Sequence, residues 1–302
     1  MKQKRSLRAA LKAGEQYLTE CGIEDASVDA WLLLEYVTGV TRTVFLAEGG
    51  QEISEEDDRR YQELLFKRGS HIPLQHLTGE QEFMGLSFLV NEHVLIPRQD
   101  TEILVEEALK RLKPGMRVLD MCTGSGCIAV SLAKLFSASP AVSRKNSAVK
   151  TADVRCFDVL TVDAADISEK ALGVASQNAS RLKADVRFIH SDLFDGLNGT
   201  YDMIVSNPPY IRSEVIEELS EEVRCHEPHQ ALDGKEDGLY FYRKIVGESR
   251  SYLKEAGWLL FEIGYDQAEQ VTALMSEAGF IQIETVRDLA GLDRVVLGRR
   301  TG

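Results

Sequence analysis

The chain is poor in the features that staple a fold, span a membrane or bind metal. Its five cysteines, Cys21, Cys122, Cys127, Cys156 and Cys225, are odd in number, and no two stand at C-x-x-C spacing. Neither a zinc site nor a disulfide framework follows, so no metal is expected and a reducing cytosol is the expected compartment. No apolar run is long enough to span a bilayer, so no membrane partner is expected. The basic N-terminus leads into an amphipathic segment rather than a signal-peptide core. No internal repeat is visible. Positive charge is also short: 35 Lys and Arg face 48 Asp and Glu, a net charge of -13. A general duplex-binding surface needs clustered cations, so stable nucleic-acid binding is not expected. An acidic or neutral protein partner, or a local basic patch, stays open. The one basic cluster, Lys2 to Arg8, reads as a solvated helix end.

What is present is enough apolar sequence for a core, 44% over 302 residues, which suits one large or two ordinary domains. Residues 1–70 read as helical. Leu7, Leu11, Tyr17 and Leu18 lie near one face, Ala30 to Val37 continues, and Ser54 caps an acidic first turn of a helix running to about Gly69. Residues 81–96 read as a β-hairpin with Asn91-Glu92 as its turn. From about residue 97, apolar strands alternate with helical stretches, closing on "IQIETV" and "RVVLGR" as a hairpin. That alternation predicts an α/β, mainly parallel, doubly wound sheet. Residues 137–158 interrupt it and read as a surface insertion. Ligands on such sheets sit at the carboxyl ends of strands.

One loop stands there: Asp120-Met121-Cys122-Thr123-Gly124-Ser125-Gly126, between a strand and a helix. Glycines let a ligand approach the backbone and leave helix N–H groups free. The third glycine of a dinucleotide loop is missing, which disfavours a dehydrogenase. A nucleoside without pyrophosphate fits better, and S-adenosylmethionine is the commonest such ligand. Its ribose needs a carboxylate at the end of the second strand. Asp166, just before the Ser168 cap, is favoured; Asp163 should point to the opposite face, and Asp158 precedes a strand. Asp192, after the third strand, is placed for the adenine amino group.

A second loop, Asn207-Pro208-Pro209-Tyr210, follows the fourth strand. A planar amine on an sp² carbon is a poor nucleophile because its lone pair is delocalised. To attack a methyl group it must pyramidalise and shed a proton. The Asn207 side-chain oxygen and the Pro208 carbonyl can accept its two N–H bonds, and the prolines fix that geometry. Tyr210 offers a flat face for stacking. Holding nitrogen in line with the methyl supplies the rest. No metal or covalent nucleophile is required.

"NPPY" beside "LDMCTGSGCIAV" resembles the class I S-adenosylmethionine-dependent amino-group methyltransferases. With "PLQHLTGEQEFMGLSF" (73–88), "VLIPRQDTE" (94–102), "EPHQALDGKEDGLYFYRKI" (227–245) and "DLAGLDRVVLGR" (288–299), nearly the whole chain resembles the HemK/PrmC family of protein-(glutamine-N5) methyltransferases. The resemblance implies a Rossmann-like, doubly wound seven-stranded sheet at 100–302, a linker hairpin at 73–99, and a helical substrate-docking domain at 1–72. It implies a cytoplasmic monomer that methylates the glutamine of the Gly-Gly-Gln motif in class 1 peptide-chain release factors, tuning translation termination, with S-adenosylhomocysteine as product. Carried over by motif, Cys122, Thr123, Gly124, Ser125 and Gly126 hold the donor, Asp166 takes the ribose, Asp192 and Leu193 flank the adenine, and Asn207 adjoins both ligands. Asn207, Pro208 and Tyr210 are the catalytic set; with Pro209 they hold the glutamine, and Arg98 and Glu102 lie near the mouth. Gln99 and Asp100 replace the Pro and Glu of the usual P-R-P-E-T-E linker, and Cys122 stands where Gly is frequent. The chain also contains Gly49-Gly50-Gln51, read as an interhelical loop. The alternatives are a methyltransferase for a nucleobase exocyclic amine or another protein glutamine, and a donor-binding scaffold without activity.

Overall fold

The computed structural model describes residues 5–138 and 159–301. Most of the 137–158 insertion, with Asp158 and Cys156, lies outside these residues, as does the start of the basic cluster at 2–4. The chain divides into two compact units: Met1–Glu80 with Ser220–His226, and Gln81–Leu219 with Glu227–Gly302.

The first unit is helical: α1 (Leu7–Glu20), α2 (Ala26–Thr38), α3 (Arg42–Glu48), α4 (Glu55–Gly69) and α5 (Leu74–Thr78). Local chemistry sets the starts. Ser6 Oγ accepts from Ala9 N at 3.2 Å and Ser54 Oγ from Asp57 N at 3.0 Å, satisfying N–H groups that a helix leaves unpaired. Four acids in the first turn of α4 favour its dipole. Leu7, Leu18, Ala30, Leu33, Leu34 and Tyr61 close a single core, and the Tyr61 hydroxyl donates to Ala30 O at 3.0 Å. Arg68 is buried between two carboxylates: it meets Asp29 at 2.6 Å and Glu222 of the short helix Glu221–His226. Gly49-Gly50-Gln51 is pinned, because Gly49 and Gln51 carbonyls accept from Arg8 N and Leu7 N, and the Gln51 carboxamide donates to Glu48.

A hairpin of β1 (Glu80–Phe83) and β2 (Leu86–Leu89) follows. The expected turn at Asn91-Glu92 is not where the chain reverses. Met84 and Gly85 make it, at φ 52° and 70°, the two left-handed residues that match strand twist in a two-residue turn. Glu102 Oε1 accepts from Met84 N at 2.6 Å and holds it. Asn91 forms a separate side-chain turn, its Oδ1 accepting from His93 N at 3.0 Å.

The second unit is built on seven strands in the order β5-β4-β3-β6-β7-β9-β8. These are β3 (Arg117–Met121), β4 (Thr161–Asp166), β5 (Arg187–His190), β6 (Tyr201–Ser206), β7 (Leu253–Glu262), β8 (Phe280–Arg287) and β9 (Asp293–Arg300). All neighbours are parallel except the closing β7–β9 and β8–β9 pairs. Central strands are buried nearly throughout, as helices on both faces demand. Those helices are α6 (Thr101–Arg111), α7 (Cys127–Ala138), α8 (Glu169–Leu182), α9 (Tyr240–Tyr252) and α10 (Ala268–Glu277). From β3 the chain builds outward through β4 and β5, then returns to lay β6 on the other side of β3. The order therefore switches between β3 and β6, whose ends pair Met121 with Ser206. Ligand sites form at such a switch because neighbouring loops part there.

Candidate active site

A cavity of about 360 Å³ opens at that switch. Cys122 and Gly124 line it from the loop after β3, Asp166 and Ile167 from β4, Asp192 and Leu193 from β5, and Asn207 and Pro209 from β6. Four strand ends thus bring seven of the predicted residues, Cys122, Gly124, Asp166, Asp192, Leu193, Asn207 and Pro209, to one space; Thr123, Ser125 and Gly126 do not line it.

The loop after β3 divides its labour. Cys122 and Gly124 have φ of 61° and 54°, so the chain turns sharply between strand and helix. A Cβ built on Gly124 would meet no protein atom within 4 Å, whereas one on Gly126 would meet Ala175 Cβ at 3.0 Å. Gly124 leaves room for a ligand; Gly126 lets α8 approach. Thr123 and Ser125 turn inward and are buried. Thr123 Oγ1 donates to Asp120 Oδ2 at 2.5 Å, and Ala129 N donates to the same oxygen at 3.1 Å. Burial raises the Asp120 carboxyl to about 7, against those two bonds. Burial also pushes the Cys122 thiol well above its usual range, so it stays neutral.

Asp166 ends β4 with its carboxylate oriented by the backbone: Oδ2 accepts from Gly124 N and Oδ1 from Ser168 N, both at 2.9 Å. Burial raises its pKa despite these bonds. Its remaining lone pairs suit a vicinal diol. Asp163 lies on the other face and is structural, held by Arg117 at 2.6 Å, Arg187 at 2.7 Å and the Tyr201 hydroxyl at 3.0 Å. Burial alone would raise it; the bonds from Arg187 and Arg117 prevail and lower it. Leu193 is left-handed at φ 48°, a conformation costly for leucine. Ser191 Oγ bridges Leu193 O at 2.7 Å and Gly196 N at 2.8 Å, holding that turn.

The loop after β6 is fixed on several sides. Asn207 Nδ2 donates to Thr101 Oγ1 at 3.3 Å. The buried Glu262 carboxyl lies beside Thr101 and Asn207. Gln267 Nε2 donates to Tyr210 O at 3.0 Å, and Ile211 N to Leu232 O at 3.0 Å. Pro208 and Tyr210 do not line the cavity; Tyr210 packs on the core, and burial pushes its phenol above the usual range. Arg98 pairs with buried Glu227, and Glu102 holds the hairpin turn; neither lines the cavity. Glu262, Thr101, Gln267 and Asp120 escaped the sequence reading. A carboxylate closing the apolar run "WLLFE" was the available signal for Glu262.

Among the described residues no group of three or more His, Cys, Asp or Glu could hold a metal ion, and no helix is long and apolar enough to cross a membrane. A family profile described as the PrmC N-terminal domain matches residues 9–79, and one described as a methyltransferase small domain matches 150–226. The release factor glutamine methyltransferase of Geobacter sulfurreducens is 39% identical over 97% of this chain and 96% of its own. That of Caulobacter vibrioides is 39% identical over the same shares. A solved protein-(glutamine-N5) methyltransferase (release factor-specific) from Alicyclobacillus acidocaldarius is 31% identical over 68% of this chain and 95% of its own, with a TM-score of 0.38.

Proposed function

The chain belongs to the release factor glutamine methyltransferase family, and from that premise we propose that it methylates the side-chain amide nitrogen of the Gly-Gly-Gln glutamine in class 1 peptide-chain release factors. The observation that carries the reading is the meeting of Asp166, Gly124 and Asn207 on one cavity at the switch between β3 and β6.

The residues fit S-adenosylmethionine. Gly124 offers ligand space, Asp166 presents an oriented carboxylate for ribose hydroxyls, and Asp192 with the left-handed Leu193 flanks the base. Bound there, the donor supplies an electrophilic methyl carbon on a sulfonium. The protein's part is to prepare the nitrogen. Asn207 Oδ1, on the cavity, accepts one N–H bond of the glutamine carboxamide, and the carbonyl of Pro208, next in the loop though off the cavity wall, is assigned the other. That draws the lone pair out of conjugation and holds it toward the donor side. The nitrogen would gain the methyl carbon as that carbon's bond to sulfur breaks, one N–H proton would leave to solvent water, and both acceptors gain strength as positive charge develops on nitrogen. Pro209, lining the same cavity, helps exclude water. Tyr210 steadies the loop through its carbonyl and packs its side chain against the core of the sheet unit.

We assign docking of the release factor to the helical unit, which leaves Leu46 and Phe66 each 67% exposed. Incubation with labelled donor and purified release factor, followed by mass mapping, tests the whole assignment. A methyl group on the Gly-Gly-Gln glutamine is the expected result. Label on a nucleobase amine, or none on protein, overturns it.

A further inference from the structure

Asn207 can serve as an acceptor only if its oxygen, not its NH₂, faces the cavity. An amide has two ends of nearly equal shape and opposite hydrogen-bond sense, and burial alone does not choose between them. Something on the far side of Asn207 must choose.

That something sits at the end of β7. Ser206 pairs with Phe261, so Glu262 stands level with Asn207 on the adjacent strand. Its side chain is 2% exposed and lies beside Thr101 and Asn207. Its Oε2 has no hydrogen-bond partner. A buried carboxyl with an empty oxygen is a costly thing to keep in a core strand. Its chemistry gives a reason. Once ionised, above about pH 7, it only accepts, so whichever end of Asn207 faces it must be the NH₂ end. Thr101 reinforces the choice: its Oγ1 accepts from Asn207 Nδ2 at 3.3 Å, and its hydroxyl proton is then free to turn toward Glu262. Both neighbours thus favour the same end of the amide.

We propose that Glu262, together with Thr101, is a positioning residue that locks the Asn207 amide with its oxygen toward the reacting nitrogen. The proposal rests on the assignment of Asn207 as the acceptor for the amine, and it does not depend on which amine. The carboxylate never touches substrate or donor. Its effect on turnover passes through one amide orientation.

Glu262→Gln keeps the shape and lets its own NH₂ donate, so the Asn207 amide can reverse and aim its NH₂ at the substrate. Turnover on release factor should fall about tenfold or more, near the loss of one preorganised acceptor, while the calorimetric Kd for S-adenosylmethionine stays within about twofold. Thr101→Val should cut kcat in the same direction and remain folded if Glu262→Gln does not. The decisive variant reverses the polarity. Asn207→Asp alone sets two carboxylates face to face and should be nearly inactive. Adding Glu262→Gln restores a donor behind an outward oxygen, so the double variant should exceed the Asn207→Asp single by about tenfold. A purely structural role for Glu262 predicts the opposite, a double variant worse than either single.

A second readout needs no acceptor molecule. The side-chain NH₂ protons of Asn207, assigned by their loss in Asn207→Asp, should exchange with solvent at least about tenfold more slowly in the wild type than in Glu262→Gln. If the wild type fails to methylate release factor but this protection holds, the substrate assignment falls and the positioning role stands. Equal exchange in the two proteins, wild-type kcat in Glu262→Gln, or no rescue in the double variant overturns it.

Discussion

The two glycines of the donor loop should respond to alanine in opposite ways. Gly126 has φ 79°, and an added Cβ would lie 3.0 Å from Ala175 Cβ and 3.2 Å from Ala175 Cα, both in a buried helix contact. Left-handed backbone costs alanine roughly 1–2 kcal/mol. Overpacking against α8 adds about 1–3 kcal/mol. Lower entropy of the unfolded chain returns about 0.4–1 kcal/mol. Gly126→Ala should therefore lose about 2–3 kcal/mol, a fall of roughly 5–10 °C in Tm for a unit of this size. Gly124 has φ 54° but no protein atom near its would-be Cβ, so strain alone remains, about 1 kcal/mol. The methyl there intrudes on the cavity, and S-adenosylmethionine should bind roughly tenfold more weakly. The assay is thermal and urea unfolding in a Trp31→Phe background, so that Trp258 alone reports the sheet unit, with calorimetry for the donor. Equal stability losses in the two variants, or an affinity loss confined to Gly126→Ala, would refute this division.

Asn207→Ala should leave donor affinity nearly intact and cut turnover by about a hundredfold, checked by calorimetry against single-turnover rates. Asp166→Ala should mainly raise the donor Kd; an unchanged Kd moves the ribose contact to another group. Arg68→Ala leaves Asp29 buried without its cation and should cost the helical unit roughly 3 kcal/mol, read from Trp31 fluorescence in urea. Burial raises Glu262 to about 7, against the opposing pull of its polar neighbours Thr101 and Asn207, so the folded state holds its proton more tightly than the unfolded chain does. Stability from this group is full below the ordinary carboxylate range and is lost as pH rises toward 7; Glu262→Gln should flatten the wild-type decline between about pH 4.5 and 7, and parallel curves would count against it.

Much of this protein was determined by sequence alone. Apolar runs of strand length alternating with helical stretches dictated a doubly wound sheet, because each run needs cover on both faces. Ser54 and Ser168 marked helix starts because capping is local chemistry between residues three apart. The glycine loop, Asp166 and "NPPY" were legible because each stands at a strand end, where a short motif carries its own backbone geometry. The hairpin turn misled because Asn91 has a turn residue's chemistry, while Met84-Gly85 owes its shape partly to Glu102, 18 residues away. Only the tertiary structure decided which carboxylates face the cavity and which are held inside the fold. Asp163 and Asp166 lie three residues apart in one strand, yet two arginines from β3 and β5 claim the first and the cavity claims the second. Glu262 was silent for the same reason: its meaning comes from register across β6 and β7 and from Thr101 on α6. No local pattern encodes the side of an amide on which a distant carboxylate will stand.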